Sequence, residues 1–410
     1  MKVLQINSVC GIGSTGRIVT DIHQVLKSQG HESYIAYGRG EAINCENTLR
    51  IGNSFDNYAH VLTTRLFDKH GFGSKRATRK FIREIEKLKP DVIHLHNIHG
   101  YYLNIKIFFD HLRKIEKPVV WTLHDCWSFT GHCTYFDYVC CEKWKNECYS
   151  CPEKKTYPTS FVLDNSKQNY KKKKEIFGGI NNLTIVTPSK WLANLIKESY
   201  LKEYPITVIN NGIDLNIFRK IDSNFKDIYN IQNKFMILGV ASVWNERKGL
   251  EYFLKSVDLL EKDEIIILVG LNEKQKKKLP CNTIGIVKTS NLEDLAKIYT
   301  AADVFVNPTL DDNFPTVNLE SLACGTPIVS FATGGSVESV TANNGIIVKK
   351  KSVEQLLEAI REVKKNQVLV PSLKEVQKLY NKDDRYRDYI KLYNSVRLKK
   401  AEKDQNCDLN

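Results

Sequence analysis

The chain reads as an α/β protein built on two doubly wound parallel sheets, and three observations predict it. Two series of short β-rich runs alternate with helical stretches, a polar segment divides the series, and no fixed-period repeat competes with the alternation. At 410 residues the chain also exceeds a single hydrophobic core, which sets an expectation of two domains of about 200 residues each.

In the first series, strands are predicted at residues 3–7, 34–37, 92–95, 119–123, 183–186 and 207–209. Runs such as Val92-Ile93-His94-Leu95 and Val119-Val120-Trp121-Thr122 are short and apolar, as strands covered on both faces must be. Helical patterns at 18–27, 105–115 and 190–198 lie between them. A Cys-rich insertion at 126–157, full of turn residues and aromatics, interrupts the alternation and shows no core of its own. Residues 210–214 and 221–234 read as the linker. The second series opens with Phe235-Met236-Ile237-Leu238-Gly239-Val240 and continues at 265–269, 284–286, 304–306, 328–330 and 346–348, with late helices at 353–364 and 383–398. The expected domains are therefore 1–214, 215–380 and a closing segment, 381–410, that ends in a charged tail.

Apolar residues make up 42% of the chain, but no run approaches the roughly 20 residues of a membrane span. Met1-Lys2-Val3-Leu4-Gln5-Ile6-Asn7 reads as a first strand rather than a signal peptide, so a cytoplasmic location is expected. The 60 Lys and Arg residues against 47 acids leave +13, which favours an anionic partner. Two stretches concentrate the charge. One runs from Arg65 through Lys69, Lys75, Arg76, Arg79, Lys80 and Arg83 to Lys87, with Leu66, Phe67, Phe72 and Phe81 interleaved; the other is Lys171-Lys172-Lys173-Lys174. Both suit peripheral docking on the anionic inner face of the cytoplasmic membrane, or a solvated helix face with its aromatics in the core. Of 11 cysteines, six lie from Cys126 to Cys151. A cytoplasmic chain disfavours disulfides, so Cys133, Cys141 or its neighbour Cys140, Cys148 and Cys151 are candidate ligands of a structural zinc, with His132 and His124 as substitutes; reduced buried thiols are the alternative.

The most informative stretch is Asp311-Asp312-Asn313-Phe314-Pro315-Thr316-Val317-Asn318-Leu319-Glu320, which follows the apolar run Val304-Phe305-Val306. Pro315 fits the first helical position and Gly325 the stop. Open N–H groups at that helix start attract phosphate, with Asp312 at the mouth and Glu320 placed to accept hydrogen bonds from hydroxyls, so a phosphate-linked sugar would suit the site. Asn245-Glu246-Arg247-Lys248-Gly249, after the strand ending at Val240, offers positive charge for a diphosphate. In the first half, His124 and His96 end strands where an α/β sheet binds ligands. The loop Gly11-Ile12-Gly13-Ser14-Thr15-Gly16-Arg17 has dinucleotide spacing, but the second strand ends Tyr37-Gly38-Arg39, without the acid an NAD site needs.

Asp312 and Glu320 match the Glu-x7-Glu element of retaining nucleotide-sugar glycosyltransferases, with Phe314, Leu319, Ala323, Gly325 and Pro327 where that motif wants them. The chain thus resembles glycosyltransferase family four, whose GT-B architecture sets two Rossmann-like domains facing across a cleft. The resemblance implies that Asp312 holds sugar hydroxyls, Glu320 the ribose, Lys248 the diphosphate and His124 the reacting sugar. It places Arg247, Phe314, Pro315, Thr316, Val317, Gly334 and Gly335 on the donor, and Gly13, Gly16, Arg17 and His96 on the acceptor side of the cleft. Two departures stand out. The first acid is Asp, one methylene shorter, and Ser242 occupies the place of a family arginine, whose charge Arg247 is the candidate to restore.

The resemblance further implies retaining transfer of a hexose from a UDP- or GDP-sugar to a lipid-linked glycan acceptor, no cofactor for the chemistry, and a last helix crossing back to the first domain. His-Asp-Cys-Trp with a downstream Cys-x-x-Cys-Pro resembles a subgroup making capsular, colanic-acid-type or other exopolysaccharides. A nucleotide-sugar epimerase of similar architecture is the alternative enzyme. A zinc-bearing nucleic-acid binder would leave both strand series and the acids without use, so no nucleic-acid partner is expected.

Overall fold

The computed structural model describes residues 1–365, 369 and 371–407, with side chains as far as 402. The chain divides into two compact units, Met1–Asn210 with Arg385–Asn410, and Asn211–Asp384.

The first unit contains β1 (Lys2–Asn7), α1 (Gly13–Ser28), β2 (Glu32–Tyr37), β3 (Thr48–Arg50), α2 (Ser54–Phe67), α3 (Lys75–Leu88), β4 (Val92–Leu95), α4 (Ile105–Ile115), β5 (Val119–Thr122), α5 (Ser166–Phe177), β6 (Leu183–Thr187), α6 (Lys190–Glu198) and β7 (Ile206–Val208). Its sheet runs β3-β2-β1-β4-β5-β6-β7, with every pairing parallel. Alternate residues serve opposite faces, as the strand period of two dictates. Leu4, Ile6, Ile93, Leu95, Val119 and Trp121 join one core cluster, whereas Val3, Val92, Val120 and Val186 meet α1 on the other face.

In the second unit follow α7 (Phe225–Ile228), β8 (Phe235–Val240), α8 (Leu250–Ser256), β9 (Glu264–Val269), α9 (Glu273–Lys276), β10 (Thr283–Ile286), α10 (Leu292–Ala301), β11 (Val304–Asn307), α11 (Thr316–Ala323), β12 (Ile328–Phe331), β13 (Gly345–Val348), α12 (Val353–Lys365) and α13 (Leu373–Tyr380). The sheet order is β10-β9-β8-β11-β12-β13, again all parallel. Met236, Leu238 and Phe305 face one cluster, Ile237, Val304 and Val306 the other. Strand order reverses between β1 and β4 in one sheet and between β8 and β11 in the other. Beyond the carboxyl ends of strands at such a reversal, neighbouring loops diverge and leave a crevice.

The final helix, α14 (Lys382–Cys407), begins in the second unit and from Arg385 belongs to the first. Tyr386, Tyr389, Ile390 and Tyr393 pack on the same face of the first sheet as α1. Burying each side chain of this size stabilises by about 1.5–3 kcal/mol. Two buried hydroxyls from this helix complete a polar chain: Tyr393 Oη lies 2.6 Å from His94 Nδ1, His94 Nε2 2.8 Å from Thr122 Oγ1, and Thr122 Oγ1 3.1 Å from Tyr389 Oη.

One expectation is overturned. Residues 221–234 are not a free linker: Phe225 and Ile231 are buried in the second unit's core, and Ile213 forms a parallel bridge with Asn381. The insertion at 126–157, without a core of its own, shares that of the first unit: Cys126, Trp127, Phe129, Cys133, Phe136, Trp144 and Cys148 join the cluster that holds Phe109, Trp121 and Phe177. Lys173 of α5 fastens it. Its ammonium donates to Trp127 O at 2.6 Å and Thr130 O at 2.9 Å and lies 3.6 Å from the Trp127 ring centre. Only 1% of Lys173 is exposed, and burial pulls its pKa down to about 7, so it is no surface cation of the lysine run.

Candidate active site

The second unit builds its site at the β8/β11 reversal. After β8 the chain makes a single 3-10 turn, Glu246–Lys248, capped by Asn245, whose Oδ1 accepts from Lys248 N at 3.0 Å. Gly249 ends the turn in the left-handed region, φ 74°, where a Cβ would lie 2.1 Å from Pro308 O. This close approach joins the turn to the segment after β11: Leu310 N donates to Arg247 O at 2.7 Å, Thr309 Oγ1 to the same carbonyl at 3.2 Å, and Arg247 Nη1 to Asp311 O.

Two cations therefore meet one carboxylate. Lys248 Nζ is 2.5 Å from Asp312 Oδ2, and Arg247 Nη1 is 3.8 Å from the same oxygen. Burial works against the Asp312 charge, but Lys248 and Arg247 outweigh it and hold the carboxyl below its ordinary pKa. Burial likewise lowers the Lys248 pKa, with Asp312 opposing the shift. Asp312 is also fixed through its backbone, since Gly335 N donates to Asp312 O at 3.1 Å. At Gly334, φ 51°, a Cβ would meet that same carbonyl at 2.1 Å, so this position of the glycine pair takes no side chain.

Helix α11 starts at Thr316, one residue later than expected. Pro315 is the cap, its φ of −68° helical but its ψ of 121° extended, and Gly325 follows the last turn at φ 83°. Thr316 and Val317 form the first turn and Phe314 is 5% exposed. Glu320 is 3% exposed and its Oε2 accepts from Tyr299 Oη of α10 at 3.2 Å. Asn318 went unnoticed in the sequence. Its Oδ1 accepts from Asn307 at 2.8 Å and its Nδ2 donates to Ser336 O at 3.0 Å, tying α11 to β11 and to the glycine-pair loop. An asparagine amid the apolar residues of so short a helix is the signal that was available.

In the first unit, His96 and His124 follow β4 and β5 and stack at 5.4 Å with 14° between rings. Their tautomers follow from their partners. His96 Nε2 must donate to Gln5 Oε1 at 3.2 Å, so His96 Nδ1 accepts from His124 Nε2 at 3.1 Å. Gln5 in turn donates to Val19 O at 3.1 Å. Burial holds His124 to a pKa of about 4 and His96 well below its ordinary value, so both rings are neutral at pH 7. The glycine loop leads into α1 at Gly13, φ 66°, whose Cβ direction is open. A Cβ on Gly16 would come within 3.2 Å of Gly11 N, so the loop is folded tightly on itself; Arg17 lies half-buried one turn into the helix.

The four cysteines expected to hold zinc lie around one cavity. Cys133, Cys141, Cys148 and Cys151 line one small cavity with His132, Phe136 and Trp144, but they are free thiols. Among the described residues no three His, Cys, Asp or Glu side chains are placed to hold a metal ion. A hydrogen bond with Cys151, added to burial, keeps the Cys133 proton well above the usual thiol range, and burial pushes Cys148 up to about 12. Cys133 and Cys148 are thus neutral thiols in an apolar wall.

A parallel-sheet unit with two cations on a buried carboxylate at its switch point belongs to the class whose ligands are held beyond the carboxyl ends of the strands. Family models sharpen that class. Residues 15–217 match the model described as Glycosyltransferase Family 4, and residues 234–366 the model described as Glycosyl transferases group 1. The chain belongs to the family-four glycosyltransferases. It is 28% identical over 376 residues to a protein named as a colanic acid biosynthesis glycosyl transferase, WcaC, of Escherichia coli K12, covering 87% of this chain and 90% of that one. It is also 28% identical over 223 residues to the N,N'-diacetylbacillosaminyl-diphospho-undecaprenol alpha-1,3-N-acetylgalactosaminyltransferase of Campylobacter jejuni, covering 50% of this chain and 58% of that one. Among solved structures, sucrose-phosphate synthase from Thermosynechococcus elongatus superposes with a TM-score of 0.72 at 17% identity, covering 96% and 98% of the two chains, which establishes the GT-B fold.

Proposed function

We propose that the protein transfers a hexose from a nucleotide-diphosphate sugar to a lipid-linked glycan during assembly of a bacterial surface polysaccharide, with retention at the anomeric carbon. The observation that carries this reading is the pairing of Lys248 and Arg247 on Asp312. Two positive charges around one negative leave a net attraction for an anion where the second sheet's loops diverge. An arriving diphosphate replaces Asp312 as the partner of Lys248, and the released carboxylate then accepts hydrogen bonds from the donor's sugar hydroxyls. Glu320 serves the ribose.

The bond from the anomeric carbon to the diphosphate oxygen breaks, and the bond to the acceptor oxygen forms on the same face. The acceptor proton passes to the departing diphosphate, so no protein nucleophile is needed. Lys248 and Arg247 meet the charge that develops on the leaving group, and the proposed chemistry calls on no cofactor. In the first unit, neutral His124 contacts the reacting sugar, His96 holds His124 in place, and the Gly13–Gly16 turn with Arg17 receives the acceptor. The named acceptor of the Campylobacter relative, a sugar on diphospho-undecaprenol, supports a lipid-linked acceptor used at the inner face of the cytoplasmic membrane.

Screening UDP- and GDP-sugars for protection against thermal unfolding identifies the donor, and NMR of the product anomer decides the stereochemistry. Conversion of the donor to an isomer without any acceptor would establish the epimerase instead.

A further inference from the structure

Helix α2 is turned inside out. A helix on a water-exposed surface ordinarily buries its apolar stripe, yet α2 exposes Phe55, Tyr58, Leu62 and Leu66 by 79%, 74%, 59% and 37%. At 100° per residue these four fall within a face about 80° wide. Its buried residues are His60 and Thr64. Polar bonds fix that orientation: His60 Nε2 accepts from Gly71 N at 3.1 Å and Gly73 N at 3.2 Å, and His60 Nδ1 lies 2.9 Å from Ser74 Oγ. The helix cannot roll its apolar side inward without stripping those groups of partners.

A second element widens the face. Phe161, Val162 and Leu163 are 65%, 59% and 45% exposed, and Phe161 N and Leu163 N donate to Arg65 O at 2.8 Å and Leu66 O at 3.2 Å. Cations rim it. Arg65 lies over the Phe161 ring, Lys69 over Phe67, and Lys154 Nζ reaches Val162 O at 3.4 Å. Lys69 also opens a groove lined by Lys75, Arg79 and Lys172. None of these six cations is in an ion pair with a carboxylate among the described residues. The one acid of α2, Asp56, is engaged in the capping box with Asn53.

We propose that this face of the first unit docks on a bilayer carrying anionic phospholipids, its aromatic and aliphatic side chains entering the headgroup–acyl boundary and its cations meeting lipid phosphates. Contiguous apolar surface ringed by unpaired positive charge complements such a membrane. The charged stretch of α3 does not supply the anchor, because Phe81 is buried in the core and Phe72 packs against it. The use of the surface rests on the lipid-linked acceptor proposed above, whereas docking itself needs neither donor nor acceptor.

The test is sedimentation of the full chain with phosphatidylglycerol or phosphatidylcholine vesicles, without substrates. Binding is expected to the anionic vesicles only, to weaken with salt, and to survive excess inorganic phosphate. It should fall about tenfold or more in Phe55→Ser/Leu62→Ser/Phe161→Ser and in Arg65→Glu/Lys69→Glu, whose side chains are exposed and whose melting temperatures should match the wild type. Equal binding by these variants, no binding to anionic vesicles, or a wild-type dimer that the triple variant makes monomeric would overturn the proposal. Donor protection against unfolding is read separately on the same variants, so failure of the transferase reading is distinguishable.

Discussion

Lys248 and Asp312 form a largely buried pair, and each holds the other's charge against the cost of leaving water. Removing either has opposite consequences for a diphosphate ligand. Lys248→Ala should lower kcat/KM by roughly 100-fold or more and abolish the thermal protection given by the donor. Asp312→Ala should stop turnover while binding UDP or GDP at least as tightly as the wild type, because the cations lose their competing partner; calorimetric titration of the nucleotide against both variants checks this. Weaker nucleotide binding in Asp312→Ala would contradict the exchange. Both residues were legible in the sequence, since each follows an apolar run within a few positions. Tyr299 on Glu320 and Gln5 on His96 were not, because those partners lie on other elements and only packing brings them together.

At the scale of elements, the loops that hold the site depend on glycines that tolerate no side chain. Gly334→Ala would press on Asp312 O, and the loop should shift, destabilising the second unit by about 1–3 kcal/mol and weakening donor binding, as read by urea unfolding and nucleotide titration. The turn between α2 and α3 hangs on His60, which accepts two backbone N–H bonds through Nε2 and meets Ser74 Oγ at 2.9 Å through Nδ1. Burial holds its pKa to about 4, below the 6.5 of an exposed histidine. The neutral ring's contribution is complete above pH 6.5 and is lost as pH falls through about 4, on the order of 3 kcal/mol for one such group. Melting temperature should therefore drop across that window, with His124 adding to the slope; a flat profile from pH 6.5 to 4 would refute the assignment. The inverted face of α2 was hidden in the sequence, because apolar spacing says that a stripe exists and not which way it points.

For the whole molecule, α14 is the element that begins in the second unit and packs on the first sheet. Tyr393→Phe removes the partner of buried His94 Nδ1 and should cost about 1–3 kcal/mol in urea unfolding of the full chain, with donor binding at the second unit unchanged. A loss of donor binding in that variant would show that the helix does more than complete the first sheet's packing.

The sequence by itself determined the two parallel sheets, nearly all their strands, and the segments at their carboxyl ends that carry charge, because apolar runs and helix punctuation are local signals. It did not determine that residues 126–157 share the main core, that Lys173 is buried among carbonyls, that Cys133 and Cys148 are buried neutral thiols, or that α2 presents its apolar face outward. Those outcomes depend on which surfaces meet, and burial, tautomer and charge state are set by neighbours distant along the chain.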